Sequence, residues 1–583
     1  MANFTDEKNT LMLISLMKKH GIKKVIASPG TTNVAFVATV QQDEYFEVFS
    51  AYDERSAAYM ACGMAVESGE PVALSCTQAT ASRNYLSGLT EAYYRKIPIL
   101  AITSTQHLGR IGQNFQQAID RSIQPVDSVK LSVQVPVIHS EDDEWYCNVL
   151  LNRALLELRR NGNGPVHINL TTAYSMEFPV REIPKVRVIR RIGFLDSFPA
   201  VYPKIDISKK IAIFVGAHKK WSNELEEAVD EFCQHYNAVV LCDAVSNYKG
   251  KYRVMYSLVA SQRQYHSPVC DIDLVIHLGD VSGAFILSSV KETWRVNPDG
   301  EIRDTFKKQT YVFAMEEEVF FQRYNQLGKD YVGDDSYLRA WRIECDKFNQ
   351  KIPELPFSNG WIAQHTAEAL PKKSILHLGI YNSLRHWSFF DVDESIMEYS
   401  NTGGFGIDGC VSAALGASLV TDKLVFLVIG DLAFFYDLNS MANRDVKNNL
   451  RILLINNGIG TEFKNPDNRA YKLGSLANPY IAAEGHNGKK SKNLVKHYAE
   501  DLGFLYISAS TKEEFLKKIP NFVSNTPKEH PVIFEVFINT EDETETLHIL
   551  YNLETSVTVS AKNLAKSFLG DSNIKKLKKI LRK

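Results

Sequence analysis

A chain of 583 residues, 45% hydrophobic and 23% charged, has the composition of a globular protein and is several times longer than one core can fill. Its formal net charge of -2 argues against nucleic acid as a partner. No apolar run is long enough to cross a bilayer, residues 1–10 carry no basic-then-apolar leader, and the eight cysteines form no CxxC pair, so the expectation is a cytoplasmic protein with free thiols.

The first block, residues 1–185, has strand-like runs at 24–28, 72–76 and 97–103 with helical patterns between them, which predicts a mostly parallel sheet. A further strand at 46–50 leads into Tyr52-Asp53-Glu54-Arg55 and then a run of small residues through Gly63 and Ala65. This reads as a strand end entering a closely packed helix. A carboxylate there is either desolvated, with a raised pKa, or simply placed to favour the positive helix N-terminus. Residues 179–208, rich in Pro, Arg and Val, read as a linker.

The second block, residues 186–355, has strand-like runs at 211–215, 238–242 and 274–278, but no GxGxxG follows a strand, so a dinucleotide fingerprint is absent. The third block, residues 356–550, carries the most telling pattern. A buried-strand run at 424–429 ends in Gly430-Asp431-Leu432, and after twenty-three more residues a second such run, 452–455, ends in Asn456-Asn457. Two neighbouring strand ends thus offer a carboxylate and an amide to one spot, where ligands bind in parallel α/β sheets. Hard oxygen donors of this kind suit a magnesium ion that keeps substrate phosphates as its other ligands. A strand-end turn with Asp as helix N-cap is the bland alternative. The tail, 551–583, places Ile574, Leu577, Ile580 and Leu581 on one helical face and lysines on the other. It reads as a terminal helix packed on its own or a neighbouring subunit, or as a membrane-surface contact.

Taken together, these residues resemble the thiamine diphosphate-dependent enzymes, and within them the 2-succinyl-5-enolpyruvyl-6-hydroxy-3-cyclohexene-1-carboxylate synthase branch. Ser28-Pro29-Gly30, Asp53-Glu54-Arg55, Gln117-Ala118-Ile119, Gly406-Ile407-Asp408-Gly409, Gly430-Asp431-Leu432, Tyr436-Asp437-Leu438-Asn439 and Asn456-Asn457-Gly458 look like that branch's motifs, in order. The resemblance implies a three-domain α/β architecture, each domain a mostly parallel sheet flanked by helices: 1–185 pyrimidine-binding, 186–355 central, 356–550 diphosphate- and metal-binding. It implies thiamine diphosphate and Mg2+ as cofactors, with Asp431, Asn457 and the backbone oxygen of Ile459 on the metal. Ser383, Asn401, Ile407, Gly430, Leu432 and Phe463 join them around the cofactor, and Glu54 serves its pyrimidine ring. The carbanion chemistry belongs to the cofactor, and the protein orients and tunes it. A homodimer or homotetramer with active sites shared between chains is expected.

The chain departs from the branch where the branch uses arginine to grip carboxylates, a task suited to the planar guanidinium fork. Thr31-Thr32-Asn33 replaces Ser-Arg-Ser, and Gln106-His107 falls where Arg-Pro is expected. Trp387 replaces the Arg that closes Asn-Ser-x-x-x-Arg, and Thr402 replaces the Arg of Ser-Asn-Arg. Arg83 and Arg385 are candidate substitutes. Gln106, His107 and Gln117 are candidates, beside Glu54, for contacting substrate or relaying a proton. Glu462 reads as a catalytic acid or a solvated loop charge. The function expected is a carboligase acting on a 2-oxo acid donor, with an acceptor other than isochorismate. A non-ligating decarboxylase and a catalytically inactive cofactor-binding regulator are the alternatives.

Overall fold

The computed structural model describes residues 3–283, 287–486, 490–526 and 528–554. The basic tail, from residue 555 onward, lies outside the described residues. The chain forms two compact units, one of residues 1–194 with 300–314, the other of 195–299 with 315–583.

The first unit contains β1 (Lys24–Ala27), β2 (Glu47–Ser50), β3 (Val72–Cys76), β4 (Ile99–Thr105), β5 (Leu131–Val135) and β6 (Val166–Thr171), a parallel sheet in the order β2-β1-β3-β4-β6-β5. Every residue of β3, β4 and β6 is buried, as befits strands covered on both faces by helices. The strand read at 46–50 is β2, an exposed edge. Residues read as a linker contain β7 (Arg190–Gly193), because its backbone finds a partner far along the chain.

The second unit carries β8 (Ile211–Val215), β9 (Val239–Cys242), β10 (Arg253–Met255), β11 (Ile272–Leu278) and β12 (Val290–Val296), parallel neighbours in the order β10-β9-β8-β11-β12. The chain then returns to the first unit for β13 (Gln309–Ala314), which pairs parallel with β7. Asp304 anchors this return. Its buried carboxylate meets the Arg187 guanidinium at 2.6 Å and accepts the Trp145 indole N–H at 2.9 Å.

The remaining strands, β14 (Ile375–Leu378), β15 (Met397–Tyr399), β16 (Val425–Gly430), β17 (Leu450–Asn456), β18 (Leu505–Ala509) and β19 (Val532–Phe537), form a second six-stranded parallel sheet, β15-β14-β16-β17-β19-β18. Its winding repeats that of the first sheet strand for strand. In both, the chain leaves the first strand outward and re-enters on its other side, so the loops after those two strands diverge and open a crevice. The sequence motifs follow the C-terminal ends of these parallel strands: Ser28-Pro29-Gly30 after β1, Glu54 after β2, Gln106-His107 after β4, and Asp431 after β16. All eight cysteines are free thiols, seven of them buried. Among the described residues, no helix is long and apolar enough to cross a membrane.

Small residues bring the Glu54 helix (Glu54–Ser68) against the helix Leu86–Tyr94. Ala57, Ala58, Ala61, Cys62 and Ala65 are buried on its inner face, and a Cβ on Gly88 would stand 2.4 Å from that of Ala58. Gly88→Val therefore forces the two helices apart. A loss of about 1–3 kcal/mol is expected in urea unfolding, and an unchanged midpoint would contradict the close packing.

Candidate active site

β16 delivers Asp431 to the first turn of the helix Asp431–Tyr436. One carboxylate oxygen accepts the Leu432 N–H at 2.8 Å, and the other accepts the Gly458 N–H at 2.6 Å across the crevice. The side chain is buried, and burial pushes its pKa up to about 6 against the pull of those N–H donors. Asp431 has no ion pair among the described residues. Beyond β17 the loop turns sharply at Gly458, φ +72°. Asn457 faces the same space, with its amide N–H near the Thr461 hydroxyl (3.3 Å) and its amide oxygen accepting from Ile459 N–H (3.2 Å). A buried carboxylate without a countercharge, an amide oxygen and a strand-end backbone form a hard-oxygen donor set that fits a small dication. Asn456 points the other way and donates to Glu535, which also accepts from Tyr506. Only one of the two asparagines serves the crevice.

Asp431 and Asn457 border a cavity of about 360 Å³, walled also by Ser383, Ile407, Gly430, Leu432, Ile459 and Phe463. Phe463 is held against the loop because Gly460 leaves it room; a Cβ there would meet the ring at 3.2 Å. Asn401 is not part of this wall, and neither is Thr402, its buried neighbour in sequence. Glu462 is neither free nor solvated. It pairs at 2.8 Å with Arg385, which also donates to Asn382, and both side chains are largely buried. Burial pulls the Arg385 pKa down, and Glu462 more than restores it.

Beneath lies a polar floor that sequence reading missed. Asn359 donates its backbone N–H to Glu543 at 3.0 Å and its amide to Ser383, and it accepts from the Trp387 indole. Burial pushes Glu543 up to about 8, so it is protonated at neutral pH. His386, 3.9 Å away, is driven down to about 3 by burial and stays neutral. Glu543 sits in an acidic stretch that looks solvated. Its signal was position: Glu543, Thr546, Leu547 and Leu550 share one buried helical face.

In the first unit, Asp53 caps its helix by accepting from Arg55 N–H and Ser56 N–H, and Glu54 opens the first turn, half-buried and without a hydrogen bond to any described residue. Asp53 thus takes the structural role, which leaves Glu54 for another. Gln117 adopts φ +59°, uncommon for a side-chain-bearing residue, and accepts from buried Gln78 at 3.4 Å. Gln106 donates to the Tyr174 hydroxyl and accepts from Arg110. His107 is exposed and its Nδ1 accepts from Gly109 N–H, capping a short turn. Arg83 donates to the Asp120 carbonyl.

Residues 10–123 match the family described as thiamine pyrophosphate enzyme, N-terminal TPP binding domain. The 2-succinyl-5-enolpyruvyl-6-hydroxy-3-cyclohexene-1-carboxylate synthase of Bacteroides thetaiotaomicron is 32% identical over 94% of this chain and 99% of its own. This chain belongs to the thiamine diphosphate-dependent enzyme family. The synthase of Bacteroides fragilis is 31% identical over the same shares. A solved 4-hydroxybenzoylformate decarboxylase of Rhodococcus jostii aligns over 91% of this chain and 99% of its own at 16% identity and a TM-score of 0.39, too loose a likeness to bear on the site.

Because Glu543 holds its proton more tightly folded than unfolded, that contribution to stability is full below about 4.5 and is lost as pH rises through about 8. Glu543→Gln mimics the protonated acid at every pH. Above pH 8 the cofactor-free variant is expected to exceed the natural protein by about 2–4 kcal/mol in urea unfolding, with the gap closing at pH 5. Parallel pH profiles would contradict it.

Proposed function

We propose that this protein is a thiamine diphosphate- and magnesium-dependent carboligase that takes a 2-oxo acid donor and joins its decarboxylated fragment to an acceptor other than isochorismate. The observation that carries this reading is the Asp431–Gly458 junction, a buried carboxylate without a countercharge at the wall of a cavity, in a chain related over nearly its whole length to synthases of this type.

Bound there, thiamine diphosphate would supply a nucleophilic carbon for chemistry on a 2-oxo acid. Asp431, Asn457 and the Ile459 carbonyl would hold the magnesium ion, and Ile407, Leu432 and Phe463 give an apolar wall that limits water. Ser383, fixed by Asn359, orients the floor. Glu54 would hydrogen-bond the pyrimidine ring nitrogen, and Gln117, Gln106 and His107 would offer hydrogen bonds to substrate oxygens.

A different acceptor is favoured by what fills the arginine positions. Thr32 is buried and hydrogen-bonds Thr77, Trp387 is buried and donates to Asn359, and Thr402 is buried. None of these side chains carries the charge or the bidentate fork with which arginine grips a carboxylate. Arg385 is already paired with Glu462. An acceptor less rich in carboxylates, such as a carbonyl compound, suits this lining better.

The reading includes a homodimer or homotetramer in which Glu54 of one chain serves the cofactor on another. Tyr52, Tyr59, Met60 and Val66 expose apolar surface on and beside the Glu54 helix, and edge strand β2 exposes Val48 and Phe49. Patches of this kind mark protein interfaces.

Incubated with cofactor, magnesium and a panel of 2-oxo acids, the protein is expected to release carbon dioxide from at least one and to yield a carbon–carbon product when an aldehyde or ketone is added. Free aldehyde alone would favour simple decarboxylation. Glu54→Gln should still bind cofactor by calorimetry while turnover falls at least about 100-fold; equal turnover would remove Glu54 from the mechanism. Glu54→Gln and Asp431→Ala chains, each inactive alone, should regain activity when refolded together, because a mixed dimer holds one intact shared site. No recovery, with mixed dimers verified by mass, would place both residues in one chain's site.

A further inference from the structure

The other end of the Asp431 sheet holds a second cavity, of about 310 Å³, where β14, β16 and β17 begin. Its wall includes Lys372, Lys373, Lys423, Lys528 and Arg451, and its acidic member is Asp422. Arg451, the second residue of β17, is wholly buried. Its Nη1 donates to the backbone carbonyls of Asn448 and Leu450, which fixes the guanidinium plane. Its Nε and Nη2 are buried and have no hydrogen-bond partner.

Those two atoms lie on one edge of the guanidinium, where their N–H bonds run parallel. They are the pair that receives two oxygens of one carboxylate or phosphate side by side. Buried donors are nearly always satisfied, and a fixed fork with both donors unpartnered in the wall of a cationic cavity calls for an oxyanion. Burial alone lowers the Arg451 pKa, to about 10, and no carboxylate contributes to the shift. The neighbouring cations are only partly neutralised. Lys372 pairs with Asp393 at 3.1 Å and Lys528 donates to Asn521, whereas Lys373 and Lys423 have no ion pair among the described residues. The Ser374 hydroxyl, also in the wall, is buried without a partner and is a further donor.

We propose that this cavity is a binding site for a small dianionic oxyanion, a phosphate ester or a dicarboxylate, with the Nε/Nη2 edge of Arg451 as its bidentate anchor and Lys373 and Lys423 as its outer charges. Four clustered lysines and one arginine against one aspartate favour a ligand carrying more than one negative charge. The donors of Arg451 are out of solvent contact, so the anion reaches them when a wall side chain swings aside, and lysine stems are long and flexible. The site is separate from the cofactor cavity. Arg451 and Asn456 stand at opposite ends of the same buried strand, about 17 Å apart at the rise of a β-strand. Strand β17 therefore joins a ligand at one end to the metal-binding loop at the other.

The test is a calorimetric titration of inorganic phosphate, and in parallel malonate, into protein saturated with thiamine diphosphate and magnesium at constant ionic strength. Saturation keeps the added anion out of the cofactor cavity. At least one anion is expected to bind. Arg451→Met should weaken it at least about 100-fold, the effect of two charge-assisted hydrogen bonds, and should melt no lower than the natural protein in anion-free buffer because an unpaired buried charge is gone. Lys373→Ala with Lys423→Ala should weaken binding about tenfold and flatten its salt dependence. The stronger of the two anions identifies the ligand class. No heat with either anion up to tens of millimolar, or equal affinity in the natural protein and the lysine pair variant, would overturn the proposal, and the second result does so even if Arg451→Met fails to fold.

Discussion

A single carboxylate ties the two strands on which the candidate active site depends. Asp431 leaves β16 and takes hydrogen bonds from its own helix at Leu432 and from the loop beyond β17 at Gly458. Two loops that would otherwise move independently are thereby held to one geometry. Gly458 can adopt its left-handed turn, and Ile459, Thr461 and Phe463 fall into place around the cavity. The arrangement has a cost, since burial disfavours the charged carboxylate and drives the pKa to about 6. A dication bound at that spot would offset the cost and so would couple assembly of the two loops to metal binding.

The surroundings of Asp431 are unusually rich in buried polar groups that share this logic. Glu543 and His386 keep to their neutral forms, and Arg385 pairs with Glu462. A buried ion pair contributes little net stability over an apolar pair of equal volume, because both partners give up water. Its service here is positional. Arg385 holds Glu462 and Asn382, and Asn382 in turn donates to the Thr461 hydroxyl that Asn457 also reaches. The Arg385–Glu462 pair thus belongs to a connected network that reaches Asn457 at the cavity wall.

Strand positions were legible from sequence because the parallel strands are continuous apolar runs. The runs read at 72–76 and 211–215 coincide with β3 and β8, and the others shift by one or two residues at their ends. Asp431 and Asn457 stood out in the sequence because each follows an apolar strand run, whereas the role read for Glu54 rests on the resemblance of Asp53-Glu54-Arg55. What stayed hidden depends on contacts distant in sequence. Glu543 is a carboxyl among acids until its helix face is known. Glu462 reads as a loop charge until Arg385, seventy-seven residues earlier, is found beside it. Strand β7 hides in a Pro- and Arg-rich stretch because its partner, β13, lies more than a hundred residues away.

That last pairing bears on how the molecule is born. The first unit needs residues 300–314, which supply β13 and the Asp304 carboxylate that receives Arg187 and Trp145. A ribosome adding about 5–20 residues per second finishes residue 194 roughly ten seconds before it finishes residue 314. Through that interval the nascent chain displays an incomplete first unit, with the edge of β7 unpaired and two side chains lacking their carboxylate. Early exposure of this kind invites chaperone capture, and it sets the order of synthesis against the order of assembly.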